Sequence, residues 1–140
     1  MNGDLSLAVH ALVFLDHKNC TQSSEQLAQN ICTHPVRVRR VLAKLARAGL
    51  VRTREGGAGG YLLARPAADI TLCQVAAALS VHFVEVSWRS GDVDMDCLVA
   101  SGMGAVMDGI YRELDELCQK RLQSIAIGDI TAQIFGGPAA

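Results

Sequence analysis

Between Thr33 and Arg65 the chain carries Arg37, Arg39, Arg40, Lys44, Arg47, Arg52, Arg54 and Arg65 against one carboxylate, Glu55, a local balance of +7. Such side chains meet anions in two ways. The flat guanidinium fork bonds guanine O6 and N7 together, whereas lysine neutralises phosphate as a point charge. A polyanion is the natural partner for this stretch, although the whole chain has a net charge of only -1. Residues 1–70 hold nine Lys/Arg against five Asp/Glu, and residues 71–140 hold four against nine, so the excess is local. A solvated charged face has the same composition. The cations therefore acquire meaning only from the scaffold that gathers them.

The other reactive side chains are sparse. Cys20, Cys32, Cys73, Cys97 and Cys118 are odd in number, widely spaced and without a CxxC pair. Neither a disulfide framework nor a zinc ribbon is written in that pattern, and free thiols are expected. Cys97 is the candidate redox sensor. It precedes a helix, whose dipole lowers a thiol's pKa, and follows Asp94 and Asp96, which raise it. Gly56, Gly57, Gly59 and Gly60 lack the order of a phosphate loop, and no nucleophile elbow or HExxH occurs, so no enzyme is read here. The chain contains no run of roughly 18 apolar residues that would span a membrane, and no basic flank opens it, so a cytoplasmic location and no membrane partner are expected.

The elements that must position these groups follow from periodicity and punctuation. Leu5 to Leu15 reads as a helix, nearly apolar all round. Ser23, with Gln26 three residues later, fits a capping box opening a second helix through Ile31. Thr33 is placed as N-cap of a third helix with Pro35 in its first turn, Val38, Val41, Leu42, Leu45 and Ala46 on its apolar stripe, and Gly49 as its stop. Two short strands, Leu50 to Arg54 and Tyr61 to Arg65, flank the glycine-rich turn. Thr71 caps a fourth helix reaching about Ser80, and an exposed acidic loop spans Arg89 to Asp96. A long helix follows, with Val99, Met103, Val106, Ile110, Leu114 and Leu117 at coiled-coil spacing. Gly128 and Asp129 are read as its interruption, Ile130 to Phe135 as a last short helix, and the residues from Gly136 as a frayed tail.

The fold class is thus mainly α with a small β-hairpin: a winged helix-turn-helix domain plus a long C-terminal dimerisation helix. Residues 1–80 form the DNA-binding domain, 81–96 a connecting segment with its loop, and 97–140 the dimerisation and last helices. Helix 34–48 enters the major groove and the wing 52–65 lies on the backbone of double-stranded DNA. The DNA-contacting set comprises Ser23, Ser24, Thr33, Pro35, Arg37, Arg39, Arg40, Lys44, Arg52, Arg54, Gly57, Gly59 and Arg65. Arg37, Arg39 and Arg40 are assigned to bases and Arg52, Arg54 and Arg65 to phosphates, while Arg39 or Arg47 alternatively pairs with a neighbouring helix's carboxylates. The long helix has no element of its own length to cover it, so a homodimer through 99–125 is expected, with two heads roughly 34 Å apart on a palindrome. A winged-helix module that binds protein instead of DNA is the alternative.

Three runs carry a family resemblance: Ala43-Lys44-Leu45-Ala46-Arg47-Ala48-Gly49-Leu50-Val51, Glu55-Gly56-Gly57-Ala58-Gly59-Gly60-Tyr61-Leu62-Leu63-Ala64-Arg65-Pro66, and Asp69-Ile70-Thr71-Leu72. With them the chain resembles the bacterial Rrf-two family of winged-helix regulators over residues 1 to about 125. The stretch Thr33 to Arg40 is more similar to its YwnA-like branch, whose members lack the three-cysteine cluster motif. The resemblance implies a dimeric transcription regulator, usually a repressor. Cluster-binding members resemble one another in a Cys-x5-Cys-x5-Cys pattern before the long helix. Here only Cys97 lies in that region, and in the three possible registers its companions are Gly91 and Met103, Met103 and Gly109, or Glu85 and Gly91. No cofactor, iron-sulfur cluster or metal is therefore expected, the remaining alternative being a metal held across a dimer by Cys97 with His10 or Asp4.

Overall fold

The computed structural model describes residues 3–57 and 59–136 and divides the chain into two compact units. The first comprises residues up to Val81 together with those from Leu122 onward, and the second is His82–Arg121. The frayed tail expected beyond Gly136 lies outside the described residues.

The first unit opens with α1, Asp4–Lys18, whose Leu7, Ala8, Ala11, Leu12 and Leu15 are buried at the centre of the core. Short α2, Ser24–Ile31, starts at the expected capping box: Ser23 Oγ accepts the Gln26 N–H at 3.1 Å and Gln26 Oε1 accepts the Ser23 N–H at 2.8 Å. It ends on Cys32, in the left-handed region at φ 64°. That turn draws Thr33 into the closure of α2, its N–H bonding the Ala28 carbonyl at 3.0 Å. Thr33 is consequently not the N-cap of the next helix. His34 is, and its Nδ1 accepts the Val36 N–H at 3.1 Å. Helix α3, Pro35–Arg47, buries Val38, Val41, Leu42 and Leu45, the stripe its sequence period requires. Gly49, at φ 78°, closes it.

Strands β1, Val51–Arg54, and β2, Gly60–Leu63, form the antiparallel hairpin, pairing Val51 with Leu63 and Arg54 with Gly60. β2 thus starts one residue earlier than expected and stops before Arg65. An unexpected further pairing ties β2 to the turn before α2: Gln22 and Tyr61 exchange N–H to carbonyl bonds of 3.0 and 2.8 Å. Gly60 makes this approach possible, because a side chain there would run into the Gln22 backbone.

A 3-10 turn, Ala67–Asp69, leads into α4, Leu72–Ala78, capped as expected by Thr71, whose hydroxyl accepts the Gln74 N–H. The last helix, α6, runs Ile127–Ile134 and packs on α1 and on the 3-10 turn. Gly128 does not interrupt a helix, as its residue type suggested. It lies within α6, facing the 3-10 turn, where a Cβ would stand 3.4 Å from the Ala68 nitrogen in ordinary contact. Ile127 is fully buried and its N–H bonds the Ile70 carbonyl at 2.8 Å. The short last helix, grouped by sequence with the long helix before it, therefore belongs with the N-terminal core.

In the second unit a largely irregular segment leads into α5, Leu98–Gln123, which runs on into the first unit. Arg89 lies against Gly104 and reaches Asp108 at 2.9 Å. Val99, Met103, Val106, Ile110, Leu114 and Leu117 of the predicted stripe are all exposed.

Candidate nucleic-acid interface

On α3 the buried stripe leaves Val36, Arg40, Ala43 and Arg47 on the opposite, solvent side. Arg37 and Lys44, both half-buried, flank that face on one edge, and exposed Arg39 flanks it on the other. The three arginines assigned to bases thus divide between the outward face, which holds Arg40, and its two edges, which hold Arg37 and Arg39. Arg37 and Arg40 turn toward Asp4 in the first turn of α1. Asp4 Oδ1 accepts from Arg37 Nε at 3.3 Å, from Arg37 Nη2 at 3.2 Å and from Arg40 Nη2 at 3.5 Å. The side chains of Arg37 and Arg40 remain 40% and 59% exposed, against 12% for Asp4. Both guanidiniums keep hydrogen-bonding edges for an outside partner, and pairs so exposed contribute only about 0–1 kcal/mol to stability.

Arg39 has the alternative role foreseen for it, lying 3.6 Å from Glu25 Oε1 and donating to Ser24 Oγ at 3.2 Å. The backbone N–H of Glu25 itself, in the first turn of α2, holds its carboxyl below the usual range, followed by the Ser24 hydroxyl and then Arg39. Ser24 is buried and Ser23 is occupied in its capping box, so both hydroxyls already have partners inside the protein. Thr33 is half-buried, and Pro35 occupies the first turn of α3. Arg47, absent from the predicted set, is exposed on the outward face; its place four residues beyond Ala43 on the helical period was the available signal.

Alternation along β1 places Val51 and Thr53 on one side and Arg52 and Arg54 on the other; Val51 alone is buried, and Arg52, Thr53 and Arg54 are exposed. The hairpin tip carries exposed Gly57, while Gly59 is packed so tightly that a Cβ would stand 2.5 Å from the Arg54 carbonyl oxygen. Arg65 departs from the grouping made on sequence. It lies two residues past β2, half-buried in a crevice with Asp16 and Asn19 that exposed Arg52 also lines, and its Nε is enclosed without a hydrogen-bond partner. Its place at the foot of the hairpin follows from β2 ending at Leu63.

Cys97 is exposed immediately before α5. The Ala100 N–H, then the Val99 N–H, hold its thiol below the ordinary value. Cys32, in the turn that closes α2, is exposed as well. Among the described residues no three His, Cys, Asp or Glu converge, Asp4 Oδ1 is engaged by two guanidiniums, and His10 Nε2 lies 2.8 Å from Asn30 Oδ1. No described helix is long and apolar enough to cross a membrane.

Comparison with known proteins gives concordant results. Residues 1–133 match the family Rrf2, described as iron-dependent transcriptional regulators. The chain is 28% identical over 137 residues to YwnA of Bacillus subtilis (strain 168), named an HTH-type transcriptional regulator, covering 96% of this chain and 99% of that one. A crystal structure of a transcriptional regulator from Lactobacillus plantarum superposes with a TM-score of 0.81 at 24% identity, covering 96% of this chain and 91% of that one. CymR, the global cysteine regulator of B. subtilis, does so with a TM-score of 0.73 at 17% identity, covering 95% and 96%. These two structures establish the shared fold.

Proposed function

The chain belongs to the Rrf2 family of transcriptional regulators, and from that premise we propose that it is a homodimeric repressor reading a palindromic DNA site with α3 in the major groove and its hairpin on the flanking backbone. It is a DNA-binding regulator and not an enzyme. One observation carries the proposed docking: Arg37, Arg40, Lys44 and Arg47 line the solvent side of a single helix, and the hairpin that follows presents Arg52 and Arg54 outward. The arginines of α3 supply forks for guanine edges, and those of the hairpin neutralise phosphates.

The dimer reading is supported by the exposed stripe from Val99 to Leu117, which has the spacing of a coiled-coil seam. Burying it in a second copy removes an apolar surface of the kind that soluble monomers rarely display. The regulator is further proposed to dispense with an iron-sulfur cluster, because its donor set offers one thiol where a cluster takes several. Cys97, exposed and held toward its thiolate, is the proposed redox-responsive group.

Selection of duplexes from a random pool, repeated with oxidant, reductant and Cys97→Ser, tests the reading. The expected product is a two-fold symmetric site whose affinity falls steeply with salt and whose response to oxidant vanishes in the variant. Failure to bind any duplex at any salt would favour the protein-binding module. An unchanged oxidant response in Cys97→Ser removes Cys97 as the sensor.

A further inference from the structure

Among the described residues, Asp4 is the carboxylate in contact with Arg37 and Arg40, and its Oδ1 gathers both guanidiniums. It stands in the first turn of α1, whose following residues Leu7, Ala8 and Ala11 are fixed in the core. Its carboxylate is therefore anchored to the rigid centre of the domain. Arg37 gives it Nε and Nη2, two donors from one edge of the same flat group. This orients the guanidinium and leaves Nη1 and the remaining Nη2 hydrogen for another partner. Arg40, one turn along, shares the same oxygen. Gly3 adjoins the pair: a Cβ there would stand 3.2 Å from Arg37 Nη2, a contact that a small shift of the guanidinium relieves. Asp4 itself is too enclosed, at 12% side-chain exposure, to face a base edge.

We infer that Asp4 is a positioning residue for DNA discrimination, holding Arg37 and Arg40 side by side so that they meet base edges already ordered. The inference rests on α3 being the reading helix. Two consequences follow from the chemistry. The ordering of two long side chains is complete before binding, which favours the matched site. The carboxylate also offsets one of the two positive charges, which weakens attachment to phosphates of any sequence. Asp4 thus improves the ratio of matched to unmatched binding and lowers indiscriminate affinity.

The test measures fluorescence anisotropy of the full chain on the selected duplex and on a scrambled duplex of equal length, across a salt series, with thermal melting as a check on folding. Asp4→Asn is expected to bind the scrambled duplex more tightly at low salt and to lose about tenfold in the matched-to-scrambled ratio, within the worth of one bidentate arginine–guanine pair. Asp4→Glu retains the charge and is expected to stay within about threefold of the parent. If Asp4→Asn does not fold, Arg37→Lys, which keeps the charge but loses the two-donor geometry, is expected to show the same loss. A folded Asp4→Asn or Arg37→Lys with the parental ratio overturns the role of Asp4. A parent that discriminates no duplex overturns the reading of α3 instead, so the two failures are distinguishable.

Discussion

The two arginines that bracket the hairpin have different surroundings, and exchanging each for alanine separates them. Arg54 is exposed, on the outer side of β1 and opposite Gly60, close to the tip. Arg65 is half-buried at the foot, with its Nε enclosed. If Arg54 neutralises one phosphate per wing, Arg54→Ala removes two such contacts from a dimer. At about 0.9 units of salt slope per phosphate, the plot of log affinity against log salt flattens by about 1.8. Between 50 and 200 mM salt, the parent should then lose about tenfold more affinity than the variant. Arg65→Ala should leave the slope at the parental value and lower the melting temperature, because the packing of its stem is lost. Anisotropy titrations at four or five salt concentrations, with melting curves for each variant, provide the readout. Flattening in Arg65→Ala with none in Arg54→Ala would refute the assignment of the outer hairpin side to DNA.

Three further outcomes follow. Ile127→Ala, at a fully buried site on α6, should cost about 2–5 kcal/mol in urea unfolding followed by circular dichroism; a cost within the range of a surface substitution would show that α6 is not part of the N-terminal core. Ile110→Asp, in the middle of the exposed stripe, should convert dimer to monomer in sedimentation equilibrium with helical content retained, and an unchanged mass would exclude the seam. Because the Ala100 and Val99 N–H groups stabilise the Cys97 thiolate, its alkylation by iodoacetamide should persist to lower pH than for an ordinary thiol, and the half-point should move up when the chain is unfolded. Peptide mass spectrometry resolves Cys97 from the other four cysteines, and a half-point unaffected by unfolding would contradict the cause given.

Local chemistry was legible in the sequence wherever it depended on neighbours along the chain. The capping boxes at Ser23 and Thr71 each satisfy backbone donors within one turn, so residue types three apart suffice to place them. The apolar stripe of α3 and the glycine-rich hairpin were equally readable. Thr33 was misassigned as a cap because the left-handed turn at Cys32 commits it to the preceding helix, a preference that no cysteine advertises. Gly128 has the residue type of a breaker, yet it lies within α6 against residues some sixty positions earlier, a contact no local pattern announces. The ordering of Arg37 and Arg40 was invisible for the same reason: their partner lies 33 and 36 positions away, across the core from α1 to α3. Charge counting located the cations of the interface but was blind to the acid that arranges them.

The exchange of bonds between Gln22 and Tyr61, next to the last rung Arg54–Gly60, welds the upper stem of the hairpin to the threshold of α2. Extra length is therefore admissible only beyond that weld, at the apex, where the chain meets solvent. Diversification of this scaffold toward longer or differently charged fingers has one tolerant address, and the stem beneath it is inherited as a fixed hinge plate shared with the helices.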